Sequence, residues 1–269
     1  MIKVGCNYLS LSDMDIERFI QTAYELRLDT VDFHRRAFAS TKPDYLHHIK
    51  MLCLKHGLPI GYLGVSSGFV GTTEALREQV ARCKEAIDLA AFIGAPLIRV
   101  FGGHVPPEVE DREPLFQALT PCLREVADYG VEKGVIVALQ NHNNSNIAAT
   151  SNDVLRILRE TNHPNFSFIL DTGQWEGSVG AHPRRESDPN VDIYQYIEQT
   201  VPYAIYVRTK FYKIESGREE WLDYERILRI LKGVNYNGCL SIVYEGQEED
   251  RVEAVRKAAN HLRALLSAY

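Results

Sequence analysis

The sequence predicts a (β/α)8 barrel, in which eight parallel strands close into a ring surrounded by helices. Its 269 residues suit one such barrel, which typically takes ~250 residues, better than two ordinary domains. Short apolar segments alternate with longer amphipathic ones along the chain, as parallel strands joined by right-handed crossovers require. No GxGxxG follows the first strand, which disfavours the competing doubly wound sheet. We therefore expect one domain over residues 1–269.

Eight short segments have the continuous apolar character of strands that are buried on both faces. In chain order, the predicted strands are Ile2–Asn7, Thr30–Phe33, Pro59–Val65, Leu97–Phe101, Val135–Gln140, Phe166–Asp171, Ala204–Lys210 and Cys239–Glu245.

Seven segments with apolar residues at helical spacing lie between these strands or after the last one. The predicted helices are Met14–Leu26, Ala75–Ile93, Leu115–Lys133, Asn152–Glu160, Val191–Thr200, Tyr224–Lys232 and Arg251–Ala268. Ser12 and Asp13 are candidate N-caps of the first helix. Gly94 and Gly134 directly follow two of the helices, and the second of them suits a left-handed C-cap.

Composition argues against several classes of protein. The net charge of −6 argues against nucleic acid as an obligatory partner, because phosphate binding needs a basic face. No apolar stretch approaches the ~20 residues of a membrane span. Five widely spaced cysteines without a CxxC pair are typical of small core residues in a reducing compartment. With no basic, apolar leader visible, we expect a cytoplasmic protein.

Oxygen-bearing side chains end three of the predicted strands. Gln140 ends the fifth strand, Asp171 the sixth and Glu245 the eighth. Because the C-terminal ends of parallel strands meet on one face of a barrel, these side chains are expected to converge there. Such a set suits one metal ion or one sugar. Two are carboxylates, whereas the third is an amide that cannot accept a proton.

Several motifs resemble those of the xylose-isomerase-like superfamily of TIM barrels. The segment Gly94–Gly103 is similar to the fourth-strand signature of this superfamily. Gln140–His142 stands where the family has Glu-x-His, and Asp171–Gln174 where it has Asp-Thr-Gly-His. Tyr206–Lys210 stands where it has His-Val-His-x-Lys, and Tyr244–Glu245 matches the eighth-strand glutamate. The family includes sugar and sugar-phosphate isomerases and epimerases, an inosose dehydratase and the endonuclease IV branch.

The resemblance implies an isomerase or epimerase, or a related lyase, acting on a sugar, a sugar phosphate or a hydroxy-keto acid through an enediolate. Family members hold one divalent ion, commonly Mn²⁺ or Mg²⁺, with a glutamate, an aspartate, a histidine and a second glutamate. Asp171 and Glu245 match this set, whereas Gln140 and Arg208 replace the first glutamate and the histidine. The expected metal ligands are Gln140, Asp171 and Glu245, with Glu245 also the base and Arg208 and Lys210 binding developing negative charge.

Four alternatives remain open from the sequence. An amide oxygen can bind a hard cation, so Gln140 permits a metal. Arg208 stays protonated and is not a ligand, so it can instead replace the metal beside Asp171 or Glu245. The remaining interpretations are a catalytically silent sugar-binding protein and an abasic-site nuclease. The net negative charge, and the lack of histidines at the positions where the family has them, argue against the nuclease.

Four further residues are candidate contacts of a small polyhydroxylated substrate. His142 shares the side of Gln140, His104 follows two glycines at the end of the fourth strand, and Gln174 and Trp175 follow Asp171. Trp175 either stacks on a sugar ring or packs within the protein. The long irregular segment 172–190 is expected to act as a lid or binding loop. A homo-oligomer is compatible with the sequence.

Overall fold

Eight parallel strands close into a barrel in which each strand pairs with its neighbours in chain order, and β1 pairs with β8. The structure is a computed structural model that describes residues 2–143, 145–181, 187–247 and 250–268. The strands are β1 Lys3–Asn7, β2 Thr30–His34, β3 Ile60–Gly64, β4 Leu97–Val100, β5 Ile136–Gln140, β6 Phe166–Asp171, β7 Ala204–Phe211 and β8 Cys239–Tyr244. The predicted fold class is confirmed, and each predicted strand boundary agrees to within one residue.

Eight α-helices of the described residues pack around the barrel. They are α1 Ile16–Glu25, α2 Pro43–Lys55, α3 Thr73–Ile93, α4 Glu113–Lys133, α5 Ser151–Thr161, α6 Ile193–Thr200, α7 Tyr224–Gly233 and α8 Arg251–Ser267. Gly94 and Gly134 end α3 and α4 in the left-handed conformation, with φ of 86° and 68°. Within the described ranges, no helix has the length and apolar character that crossing a lipid bilayer needs.

Two details of the helices differ from the sequence prediction. The N-cap of α1 is Asp15, whose side chain accepts a hydrogen bond from the backbone of Arg18, rather than Ser12 or Asp13. Helix α2 was not predicted. Its buried stripe is short, and two exposed apolar residues, Met51 and Leu54, obscure its amphipathic pattern.

The barrel interior changes from apolar to polar along its axis. Its apolar end contains Tyr62, Leu97, Ala138, Ile169, Tyr206 and Cys239. Toward the C-terminal ends of the strands the inward side chains become charged. Five of them are at most 3% exposed: Asp32, Arg99, Asp171, Arg208 and Lys210. Charged side chains are seldom buried unless they are paired, so this layer marks the functional end of the barrel.

The register between β6 and β7 brings opposite charges together. Asp171 of β6 is the pairing partner of Arg208 of β7, so the two side chains enter the barrel at the same level. Because successive strand residues face opposite sides, Lys210 enters the barrel one layer above Arg208. The pairing of two strands therefore places a carboxylate and two cations side by side.

Gly61 of β3 provides the space for a buried contact in this layer. A Cβ atom at this position would overlap the hydroxyl of Tyr206 and the carboxylate of Asp32. We expect Gly61→Ala to lower the free energy of unfolding by about 1–3 kcal/mol, the usual cost of overpacking, measured by urea denaturation. The control is Gly233→Ala at the end of α7, where a Cβ meets nothing within 4 Å. Equal stability of the two variants would contradict this account of β3.

Candidate functional site

A pocket of about 410 Å³ opens at the C-terminal ends of the strands, the face on which (β/α)8 barrels carry their active sites. Its walls come from β2, β4, β5 and β7 and from the segments that follow β1, β2, β4, β5, β6 and β8. The lining residues are Tyr8, Leu9, Ser12, His34, Arg36, Ala37, Arg99, Phe101, Gln140, His142, Gln174, Arg208, Lys210 and Glu245. Most residues expected at the site from the sequence therefore lie around one cavity.

Asp171 lies fully buried among these residues and accepts several hydrogen bonds. Its Oδ2 accepts from Arg208 Nε and from Gln140 Nε2, both at 3.0 Å, and lies 3.6 Å from Lys210 Nζ. Its Oδ1 accepts from the backbone N–H of Gly173 at 3.1 Å. Burial acts to raise the pKa of Asp171, but the charges of Lys210 and Arg208 and these hydrogen bonds bring it below its usual value. Asp171 is therefore a permanent anion.

Arg208 is held from both sides. Besides Asp171, its guanidinium donates to the hydroxyl of Tyr62, and that hydroxyl also accepts from Asn7 Nδ2 at 2.8 Å. Burial opposes its charge, but Tyr62 and Asp171 raise the pKa of Arg208 above its ordinary value. The guanidinium thus has a fixed place and a fixed charge.

Lys210 connects Asp171 to Glu245, a carboxylate of the pocket lining. Its Nζ donates to Glu245 Oε1 at 2.7 Å, and the lysine is 1% exposed whereas the glutamate side chain is 41% exposed. Gln174 Nε2 lies 3.4 Å from Glu245 Oε2. Glu245 is therefore oriented by two neighbours and remains accessible to a molecule in the pocket.

Two buried amide oxygens of the pocket have no hydrogen-bond partner among the described residues. They are Oε1 of Gln140 and Oε1 of Gln174, and in both residues the nitrogen is the atom that contacts a carboxylate. A buried polar atom without a partner costs free energy. A ligand that donates hydrogen bonds would remove this cost.

His142 contributes a neutral ring. Its Nδ1 lies 2.8 Å from the carbonyl oxygen of Asn143, which can only accept, so Nδ1 carries the proton and Nε2 is an acceptor. Burial, with the positive charges of Lys210 and Arg99, lowers its pKa. The ring packs edge-on against Phe101 at 4.9 Å.

Two residues expected to contact the substrate lie elsewhere. Trp175 is fully buried and packs against Phe168 and Tyr196 at 6.4 and 5.6 Å, so it belongs to the core outside the barrel and not to the pocket wall. His104 is exposed and pairs with Asn146 in an isolated bridge, outside the pocket lining. The turn after Asp171 and the two glycines before His104 direct these side chains away. The basic tip of segment 172–190, His182–Arg185, lies outside the described residues.

The structure adds residues that the sequence reasoning did not place in the site. Arg99 of β4 lines the pocket, and Tyr62 and Asn7 position Arg208. Asp32 lies below them and accepts from Tyr206 at 2.7 Å and from Ser241. A charged residue inside an apolar strand was the available signal for Arg99 and Asp32, since such residues are rarely buried without a role.

The chain matches the model of a known family over residues 20–265, described as the xylose isomerase-like TIM barrel. The match covers most of the sequence. The chain belongs to the xylose isomerase-like TIM barrel family. This confirms the family resemblance of the strand-end motifs. No curated protein matches the chain.

Solved structures of this fold superpose on nearly the whole xylose isomerase-like domain. D-psicose 3-epimerase from Clostridium cellulolyticum H10 has a TM-score of 0.80 at 15% identity, covering 98% of this chain and 99% of its own. A 3-keto-D-glucoside 4-epimerase from E. coli has a TM-score of 0.76 at 16% identity, covering 99% and 100%. A D-allulose 3-epimerase from Methylomonas sp. has a TM-score of 0.75 at 17% identity, covering 98% of each chain. At such identities the likeness establishes the fold alone.

The donor set at the expected metal position does not suit a divalent ion. Oδ2 of Asp171 already faces Arg208 and Lys210, and Oε1 of Glu245 faces Lys210. A cation there would sit beside two others, and two unit charges ~4 Å apart repel by about 4 kcal/mol at an effective dielectric of 20. In the described part of the chain, no three His, Cys, Asp or Glu side chains are grouped to hold a metal.

Restoring the family ligand types provides a test of this account. We expect the wild-type protein to bind Mn²⁺ weakly, and the double variant Gln140→Glu/Arg208→His at least about tenfold more tightly, because one cation is removed and two ligands are added. Isothermal titration calorimetry measures both affinities. The single variant Gln140→Glu retains Arg208 and is expected to stay weak. Wild-type affinity equal to that of the double variant would refute the mismatch.

Asp32 makes stability depend on pH in a defined direction. Burial raises its pKa to about 7, although Ser241, Tyr206 and the charge of Arg208 act in the opposite direction. As pH rises, Asp32 in the unfolded chain loses its proton at a pKa of about 3.9, whereas in the folded protein it keeps the proton until about pH 7. The stabilising contribution is complete below pH ~4 and is lost as pH rises through ~7.

Asp32→Asn should therefore remove a pH dependence. Relative to the variant, the wild-type protein is expected to lose free energy of unfolding between pH 4 and pH 7. Chemical denaturation at half-unit pH steps measures this difference, in which the other titrating groups cancel. Parallel curves for the two proteins would show that Asp32 does not titrate in this window.

Proposed function

We propose that this chain is an isomerase that moves a carbonyl group along a small polyhydroxylated compound through an enediolate, without a divalent metal. The observation that carries the proposal is the Lys210–Glu245 pair, with Nζ and Oε1 2.7 Å apart, in a pocket that also presents two unpartnered amide oxygens. A carboxylate and an ammonium group supply the base and the electrophile that such a reaction needs.

Glu245 has the position of the base. Isomerisation requires removal of the proton on the carbon next to the carbonyl, and a carboxylate within reach performs this step. Glu245 is the acid among the described pocket-lining residues, and its partly exposed side chain can reach a bound molecule. The proton passes from carbon to a carboxylate oxygen of Glu245, and the same carboxylic acid returns it to the neighbouring carbon. The hydroxyl proton of the enediolate moves from its own oxygen to the former carbonyl oxygen, so that the first becomes the new carbonyl and the second a hydroxyl group. One base on one face is sufficient.

Lys210 and Arg208 stand in for a metal electrostatically. An ammonium group has three N–H donors. Glu245 accepts one from Lys210 at 2.7 Å, and Asp171 makes an ionic contact with the same nitrogen at 3.6 Å. A further donor is available to the carbonyl oxygen that becomes the enediolate oxyanion. Fixed donors in a site shielded from water stabilise such charge strongly. Because Arg208 is tied to Asp171 and Tyr62, its charge supports the oxyanion without moving.

The remaining polar atoms favour a substrate with several hydroxyl groups. Oε1 of Gln140 and Oε1 of Gln174 accept hydrogen bonds, and so does Nε2 of His142. A hydroxyl group is both donor and acceptor, so a polyhydroxylated chain can satisfy the amide oxygens while accepting from the cations. The epimerases among the similar structures act on sugars, as their names state, which supports this substrate class.

Epimerisation is the second candidate, and one observation favours it. Inverting a carbon requires a second base on the opposite face, and Gln140 cannot serve. His142 lines the same pocket and is neutral, with Nε2 as the acceptor. Product analysis separates the reactions, because isomerisation changes the position of the carbonyl and epimerisation does not.

Exchange of the α-proton into deuterium oxide tests the proposal. With sugars, sugar phosphates and hydroxy-keto acids as substrates, we expect exchange by the wild-type protein that persists in EDTA. Glu245→Gln is expected to slow it by about 10²–10⁴-fold, the usual effect of losing a general base. The control is Glu132→Gln, an exposed carboxylate near the end of α4, which should match the wild type. If no compound of the panel exchanged its proton, the remaining interpretation would be a catalytically silent binding protein. Exchange that EDTA abolished would overturn the metal-free mechanism.

A further inference from the structure

Arg99 is a buried cation that makes no ion pair with any of the described residues. It is 3% exposed, and its Nη1 donates to the carbonyl oxygen of Val65 at 3.3 Å. Its Nε has no hydrogen-bond partner among the described residues. Among the described residues, Arg208 and Lys210 form ion pairs, whereas Arg99 forms none. Because burying a charge is costly unless it is paired, this position favours an added anion.

The barrel is shaped to hold this guanidinium at the pocket. A Cβ atom on Gly64 would lie 2.7 Å from Nη2 of Arg99 and 3.3 Å from the ring of His34, so the glycine of β3 provides the room. The guanidinium also stacks over the ring of Phe101, with its carbon 4.0 Å from the ring centre. With Nη1 engaged by Val65, the buried N–H group of Nε has no hydrogen-bond acceptor among the described residues. Together with Nη2 it forms the side of a guanidinium that suits the two oxygens of a carboxylate or a phosphate.

Most of the charged side chains in the pocket lining are cations. The pocket lining contains Arg36, Arg99, Arg208 and Lys210, with Glu245 as its acid. Arg208 and Lys210 are balanced by Asp171 and Glu245, which leaves Arg99 and the exposed Arg36 in excess. The neighbouring His34 responds to this field. Burial lowers its pKa, and the charges of Arg99 and Arg36 lower it further, to about 3.

The order of the strands sets where this excess charge lies relative to the reacting carbon. In a closed ring of eight strands in chain order, β4 is opposite β8. Arg99 belongs to β4, and Glu245 follows β8. The two side chains therefore stand on opposite walls of one pocket, and a molecule that reaches both must extend across it.

We propose that Arg99, with Arg36 at the rim, binds an oxyanion that the substrate carries at the end remote from the carbonyl. The inference rests on the proposed function for the reacting end and assigns the other end of the same molecule. The substrate class is then a polyhydroxylated carbonyl compound with a terminal phosphate or carboxylate. Neutral sugars lack the group that Arg99 recognises.

Binding of simple anions tests the subsite without any turnover. Inorganic phosphate and glycolate are titrated by calorimetry into the wild-type protein, Arg99→Met, Arg99→Lys and the control Arg159→Gln, an exposed arginine of α5. We expect Arg99→Met to weaken binding by about 10- to 100-fold, the effect of one charge-assisted contact, and Arg99→Lys to retain part of it. Tighter binding of phosphate or of glycolate identifies the anion. Equal binding by the wild type and Arg99→Met would overturn the proposal, as would no binding of either anion.

Thermal unfolding separates a binding arginine from a structural one. A buried charge that awaits a ligand destabilises the empty protein, so Arg99→Met is expected to melt at the same temperature or higher without anion. Phosphate or glycolate should raise the melting temperature of the wild type and not that of the variant. A structural arginine would give the reverse: a lower melting temperature of Arg99→Met and no effect of anions on the wild type.

The exchange assay distinguishes failure of this inference from failure of the proposed function. Each sugar is compared with its terminal phosphate ester and its terminal carboxylate, and we expect the anionic form to exchange with the higher kcat/KM. Equal exchange of neutral and anionic forms would overturn the anion subsite and leave the isomerase intact. Anion binding that depends on Arg99, without exchange of any compound, would overturn the isomerase and leave the subsite.

Discussion

The buried ion pair between Asp171 and Arg208 is the interaction on which the rest of the site depends. Both side chains lie in the barrel, at 0% and 3% exposure, and Arg208 also reaches Tyr62 of β3, which contacts Asn7 of β1. The pair thereby links four strands across the interior. Loss of one partner would leave a buried charge unpaired, which costs about 3–5 kcal/mol. The pair also positions Gln140 and Lys210, which contact Asp171.

The chemistry of the pocket follows from how its charges are matched. Asp171 binds Arg208 and, more distantly, Lys210, and Lys210 then orients Glu245. Two carboxylates are thus satisfied by two cations that belong to the protein. Because Arg99 adds a cation that no described carboxylate pairs with, the pocket is positive although the whole chain carries a net charge of −6. A local excess of this kind attracts an anion independently of the overall charge.

The fold was predictable because each strand and most helices have the pattern of apolar residues that is typical of such an element. Continuous apolar runs predicted all eight strands, and glycines at the ends of α3 and α4 adopt the left-handed conformation that favours them. Helix α2 was not predicted because its apolar residues Met51 and Leu54 are exposed. The spacing of apolar residues therefore did not distinguish its buried face from its exposed face. Asp15 caps α1 instead of Ser12 or Asp13, a choice made by backbone geometry among similar side chains.

By itself the sequence determined the residue types at the strand ends: Asp171 and Glu245 as carboxylates, and Gln140 and Arg208 where the family has metal ligands. Only the tertiary structure decided which groups pair, because pairing depends on the β6–β7 register and on closure of the barrel. It placed Trp175 in the outer core and His104 outside the pocket, since short turns redirect side chains in ways that spacing does not reveal. It also set Arg99 opposite Glu245, because strands far apart in sequence become opposite walls when the ring closes.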